Sequence, residues 1–189
     1  MRGSTTVRRE IIAHLQEAAH LPSRIAALRD AGANVRQIAE GEWHPAWKPE
    51  ENCTNWPTLC ITTRTSTNQG REDFVNGDPE HRWLRTFRIF IWERGDGYEE
   101  CADRTENIAD AIAEEFLARP GIADGADSMY VLDAPMSVAR STYVDRDGAS
   151  IAGAYIEFVV SMTETATIPP LWDGGELDLD LIVGPKDPA

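Results

Sequence analysis

The chain has 189 residues, a formal net charge of −14 and an isoelectric point near 4.6, which suits one domain with a proper core and is too short for two comfortable ones. A hydrophobic share of 42% and a charged share of 26% exclude wholesale disorder and fibrous repeats. So acidic a chain is a poor nonspecific ligand for nucleic acid, since phosphate binding is driven by Lys and Arg displacing counterions, and no run approaches the roughly 18 to 20 apolar residues of a bilayer crossing.

Met1-Arg2-Gly3-Ser4 leads into a polar helix without the apolar run of a signal peptide. Val7, Ile11, Ile12, Leu15, Ala18 and Ala19 recur at helical spacing after Ser4, Thr5 and Thr6, candidate N-caps. Pro22 interrupts this helix, and 23–29 reads as a short second piece ending before Gly32. From Gly41 to Pro57 the chain is rich in Trp and Pro, which suits an irregular packed connection.

Thr58 to Thr65 is β-branched and alternating, hence a strand. A second strand, Thr86 to Glu93, puts Phe87, Ile89 and Ile91 on one face. The polar stretch Ser66 to Arg85 between them has no clear period and reads as a long binding loop or a disordered one. Asp103 and Glu106 have capping-box spacing and open a helix whose apolar stripe is Ile108, Ala109, Ile112, Ala113, Phe116 and Leu117, with Asp110, Glu114 and Glu115 off it. Strand-like Met129–Val131 and Met136–Val144 follow, then the turn Asp145-Arg146-Asp147-Gly148 and a strongly alternating strand, Ala152 to Thr163. The expected fold is α+β: an antiparallel sheet of about four strands in the order α-β-β-α-β-β with helices on one face. Residues 1–168 form its single domain, and Pro169-Pro170 begins an acidic C-terminal arm, 169–189.

Charge is uneven along the chain. Arg82 to Arg94 holds four arginines against Glu93, net +3, whereas Asp96 to Asp127 holds ten acids against two arginines, net −8. Such asymmetry lets one surface attract the opposite surface of a neighbouring copy. Arg82, Trp83, Arg85 and Arg88 are therefore candidate interface residues. In the arm, Glu176-Leu177-Asp178-Leu179-Asp180-Leu181 alternates acid and leucine with the period of a strand, so Leu177, Leu179 and Leu181 are candidates for a subunit or partner contact.

Catalytic signals are absent from the pattern: no GxGxxG, P-loop lysine or GxSxG elbow occurs. His14, His20, His44 and His81 are scattered, and Cys53, Cys60 and Cys101 match no common zinc spacing and are odd in number, which argues for reduced thiols. No catalytic residue, metal or cofactor is expected. Arg94-Gly95-Asp96 spells an adhesion tripeptide, but a turn accounts for it. Trp43, Trp47, Trp56 and Trp83 fall in expected loops, where aromatic anchors serve interfaces or cores.

The order of elements resembles the tail terminator or tail-completion proteins of long-tailed bacteriophages. The resemblance covers roughly Val7 to Thr167: the first helix, the strand from Pro57 to Thr65, the polar loop, the strand from Arg85 to Trp92, the acidic helix from Asp103 to Arg119, and the closing hairpin, Met136 to Thr163. The Trp/Pro-rich segment and the arm depart from it. It implies a homo-oligomeric virion structural protein, not an enzyme: a hexameric ring, assembled in the host cytoplasm, that caps the tail tube protein in the tail neck and meets the head connector or stopper protein. DNA would pass through the ring without specific binding, past a lumen lined by Asp110, Glu114 and Glu115. Another neck component, a stopper or adaptor, is the nearest alternative, followed by a small cytosolic enzyme with an unrecognised site.

Overall fold

A computed structural model describes residues 4–75, 78–123, 128–132, 136–140, 144–146 and 148–165. The chain opens with two helices, α1 (Ser4–Gln16) and α2 (Leu21–Asp30). Val7, Ile11, Ile12 and Leu15 form the buried stripe of α1. Pro22 does not break α2 but sits in its first turn, where its missing N–H has no helical partner to lose. A two-residue strand, β1 (Trp43–His44), precedes two long ones, β2 (Thr58–Val75) and β3 (Asp78–Gly95). Helix α3 (Tyr98–Ala118) leads to three short strands, β4 (Gly121–Ala123), β5 (Met129–Val131) and β6 (Ser137–Arg140). The last two strands are β7 (Val144–Arg146) and β8 (Ala149–Thr165).

These strands make one mixed sheet that curls into a half-barrel, with the path β1-β2-β3-β8-β5-β4 and with β6 and β7 also on β8. Because β3 holds one side of β8 from Ser150 to Thr165, β5, β6 and β7 must share its other side, at 160–162, 154–157 and 149–151. The expected sheet of about four antiparallel strands in the order α-β-β-α-β-β is therefore overturned. There are six strands along the main path, and β1 runs parallel to β2 through Trp43↔Leu59 and His44↔Cys60. β1, β4 and β7, of two or three residues, display no alternation in sequence, so only their tertiary pairing reveals them.

The stretches 66–75 and 78–85 are likewise strand and not loop. β2 and β3 pair antiparallel from Thr58↔Trp92 to Val75↔Asp78, with register shifts at three points. Each strand has 18 residues and so runs about 60 Å. Among the described side chains of β2, those from Thr58 to Ile61 are buried, while Arg64 to Thr67 are exposed. With polar residues on both faces, the alternation that marks a half-buried strand vanishes.

The main core fills one face of the sheet, where Ile61, Phe87, Ile89, Ile156, Phe158 and Val160 meet α1, α2 and α3. Phe116 of α3 packs its ring 4.6 Å from Phe158. On the opposite face, Cys60, Trp92 and Ile151 form a second cluster under Cys53 and Trp56, and Trp47 sets its ring edge-on to Phe90 at 4.6 Å. Of the loop tryptophans, Trp43 and Trp83 pack against the main core and Trp56 against the second one, while Trp47 is half exposed.

Helix α3 starts at Tyr98 after an extended Gly97, five residues before the expected capping box. Glu99 and Glu100 lie in its first turn, where carboxylates suit the helix dipole. Gly95 is required just before it, because a Cβ there would lie 2.9 Å from Cys101 Sγ. The tripeptide at 94–96 is thus the end of β3, closed against α3.

Candidate functional site

Strand β3 is central, so the side chains expected to form one basic contact divide between two faces of the sheet. Trp83 and Arg85 lie on the helix-covered face, with Arg85 buried and its guanidinium 5.7 Å from the Trp83 ring centre. Arg85 is consequently no surface contact, and reversing its charge would disrupt the fold. Arg82 and Arg88 lie on the other face. Arg82 Nε donates to Ser161 Oγ at 3.1 Å. Arg88 donates to Glu157 Oε2 from Nε at 3.2 Å and Nη2 at 2.8 Å, with its guanidinium 4.0 Å from the Tyr155 ring centre. Arg64 of β2, 52% exposed, adds a third bond to the same oxygen at 3.2 Å. Burial works to raise the Glu157 carboxyl, but hydrogen bonds from Arg88 and Arg64 outweigh it and hold it below the usual range.

This face beyond the second cluster therefore carries Arg64, Arg82 and Arg88 against Glu157 among the described side chains. Sequence reasoning missed Arg64, which stood alone among threonines; the register Thr62↔Arg88 and Arg88↔Glu157 brings the three strands' charges together.

The opposite side of the molecule is acidic. Glu106, Asp110 and Glu114 stand at successive four-residue steps along α3, with Asp110 and Glu114 exposed. Partial burial, then the charges of Glu106 and Glu114, push the Asp110 carboxyl up. Glu115 does not belong to this stripe and cannot line a lumen, because it is fully buried. It receives Arg24 Nε at 2.5 Å on Oε2 and Arg119 Nη1 at 2.5 Å on Oε1. Burial would raise its carboxyl, yet the Arg119 and Arg24 hydrogen bonds hold it low. Its place in the core was legible: Glu115 is seven residues after Ile108 and three after Ile112, a core-facing helical position. Leu117 falls off that face and is 60% exposed, although its hydrophobicity placed it in the stripe.

His14, His20 and Glu115 bring potential metal-ligand atoms within 4.8 Å of one another. Both Glu115 oxygens already accept guanidinium hydrogen bonds, and two neighbouring cations oppose a third. The cluster acts instead as a clasp joining α1 and α2 to α3, with His20 Nδ1 donating to the His14 carbonyl at 2.6 Å. A second buried carboxylate, Glu93, lies 2.9 Å from Arg36 Nη1 and 3.7 Å from Arg104 Nη1. Burial outweighs both arginines and pushes its carboxyl up to about 7. A third, Glu42, takes hydrogen bonds from Asn55 at 2.7 Å and Thr58 at 2.9 Å, fastening the Trp/Pro-rich segment to β2. These carboxylates serve packing, each tied to partners from a different element.

Cys60 and Cys101 are buried, and burial pushes the Cys60 thiol up to about 12, which leaves it inert as a nucleophile. Leu177, Leu179 and Leu181 lie outside the described residues. A scan against protein-family models finds no match, and a search of curated proteins finds no similar one.

Proposed function

We propose that this chain is a structural subunit of the tail-terminator type, which joins copies of itself head to tail into a ring capping a tail tube and meeting a head connector. The observation that carries the reading is the placement of charge: an arginine face on one side of the sheet and an acidic stripe of α3 on the other. Two different, complementary patches on one subunit make a heterologous contact, the kind that closes into a ring when the rotation per copy allows. The exposed stretch Arg64 to Thr67 of β2 supports the same reading, since a strand segment polar on both faces gains little from its own subunit and offers surface to another. In this arrangement Arg64, Arg82 and Arg88 face Asp110 and Glu114 of the next copy, which takes those two acids out of the lumen.

Light scattering and negative-stain microscopy at low ionic strength test it. Wild type is expected to give a closed ring. Arg64→Glu weakens association at least about tenfold, and adding Glu114→Lys restores part of the loss. A wild type that stays monomeric at every concentration, or a double variant no better than the single one, removes the reading.

A further inference from the structure

Trp47, on the face of the sheet away from the helices, is 48% exposed and yet firmly held. Its ring stands edge-on to Phe90 at 4.6 Å and to Trp92 at 5.9 Å. Pro45 and Pro49 flank it two residues to either side, each with a fixed backbone angle. The Cys60 and Cys53 thiols donate to the Lys48 and Pro49 carbonyls that follow it, both at 3.6 Å. A large aromatic side chain whose freedom is already restricted joins a contact at small entropic cost. Its neighbours suit one too. Arg88 places its guanidinium 5.6 Å from the Phe90 ring centre and 4.0 Å from that of Tyr155, and Trp, Tyr and Arg are the side chains that carry most of the binding energy in protein interfaces.

The helix-covered side offers the complementary shape. At the C-terminal end of α3 lies a partly open hollow of about 300 Å³, lined by the buried Phe116 and Val131 and by the more exposed Leu117, Pro120, Leu132 and Met136. A space of that size accepts one large side chain and lies at the lower limit of small-molecule pockets. Leu117 is 60% exposed, and Glu114, one turn before it on α3, is exposed as well. Each patch therefore joins an apolar feature to charge: Trp47 to the arginines, the hollow to the acids.

We propose that the Trp47 indole of one copy seats in the hollow beside Leu117 of the next, alongside the contact between the arginines and the acids. The inference rests on the head-to-tail reading above and names the apolar anchor within it. A second copy is the occupant because it brings arginines beside its indole to meet Glu114 beside the hollow, which a bare apolar side chain would leave unmatched. Knob and hollow lie on opposite faces of the sheet, so the contact runs in one direction from copy to copy. Leu117 is open in the monomer and covered in the assembly, so its substitution acts on association and not on the unfolding of the single chain. The Trp/Pro-rich segment gains a role as the rigid support of this anchor.

Analytical ultracentrifugation of two variants and of their mixture tests the proposal. Trp47→Ala and Leu117→Glu are each expected to weaken self-association at least about tenfold, with circular dichroism like that of wild type. Mixed in equal amounts they associate at least about tenfold more strongly than either alone and stop at a dimer, because Trp47→Ala keeps its hollow and Leu117→Glu keeps its indole. A mixture no more associated than its components overturns the proposal. If Arg64→Glu weakens assembly while Trp47→Ala and Leu117→Glu assemble like wild type, the ring reading stands and the anchor falls; a wild type that stays monomeric removes both.

Discussion

Three buried glutamates respond to pH in two opposite senses, and the partners of each set the sign. Glu115 and Glu42 are held low by hydrogen-bond donors, so the stability they contribute is present above an unfolded carboxyl's value and is lost as pH falls through their folded values. Glu93 is pushed up to about 7, so its contribution is full below about 4.5 and is lost as pH rises through 7, a change of about 3 kcal/mol in this fully buried group. His14, lowered first by burial and then by His20, acts in the opposite direction near neutrality. The test is accordingly a difference. Urea unfolding of wild type and Glu93→Gln at pH 5 and pH 8 should show wild type losing roughly 2 to 3 kcal/mol more than the variant over that interval. Equal changes in the two proteins would mean that Glu93 is ionised throughout.

Helix α3 joins the two sides of the molecule, and its neighbouring positions 116 and 117 have opposite fates. Phe116 is buried between Phe158 and His14, with ring centroids at 4.6 and 6.3 Å, whereas Leu117 points to solvent. Phe116→Ala is expected to destabilise the chain by about 3–5 kcal/mol, and Leu117→Ala by less than about 0.5 kcal/mol, both read from denaturant midpoints at constant slope. A large loss at Leu117 would show that this side chain is covered in solution. In the sheet, β3 is flanked by β2 and β8, so the stretch 80–85 gains the ladder partners that a loop would lack.

Across the whole molecule, the arginine face and the acidic stripe predict association through screened charge. Raising ionic strength from about 0.1 M to about 1 M shortens the screening length from about 10 Å to about 3 Å. The self-association constant is therefore expected to fall by at least about tenfold over that range, measured by analytical ultracentrifugation. Association that strengthens with salt would point to an apolar contact instead. The net charge of −14 opposes association at low salt, because like-charged copies repel, so the local attraction of the arginines for the acids has to outweigh it.

Sequence alone determined the buried stripe of α1, the apolar faces of Phe87-Ile89-Ile91 and Ile156-Phe158-Val160, and the separation of basic from acidic stretches, because periodicity and charge are properties of short windows. It could not show β1, β4 or β7, which have no period to read, nor strand structure at 66–75 and 78–85, where polar residues on both faces leave nothing to alternate. It misplaced Arg85 for a related reason, since a charged residue reads as exposed unless its partner is known, and the same expectation overrode the core-facing spacing of Glu115. Only the tertiary structure supplied Arg24 to Glu115, a contact across 91 residues, and put Arg64, Arg88 and Glu157 side by side on three strands. Long-range pairing decides which charges are neutralised inside and which remain on the surface for another protein to meet.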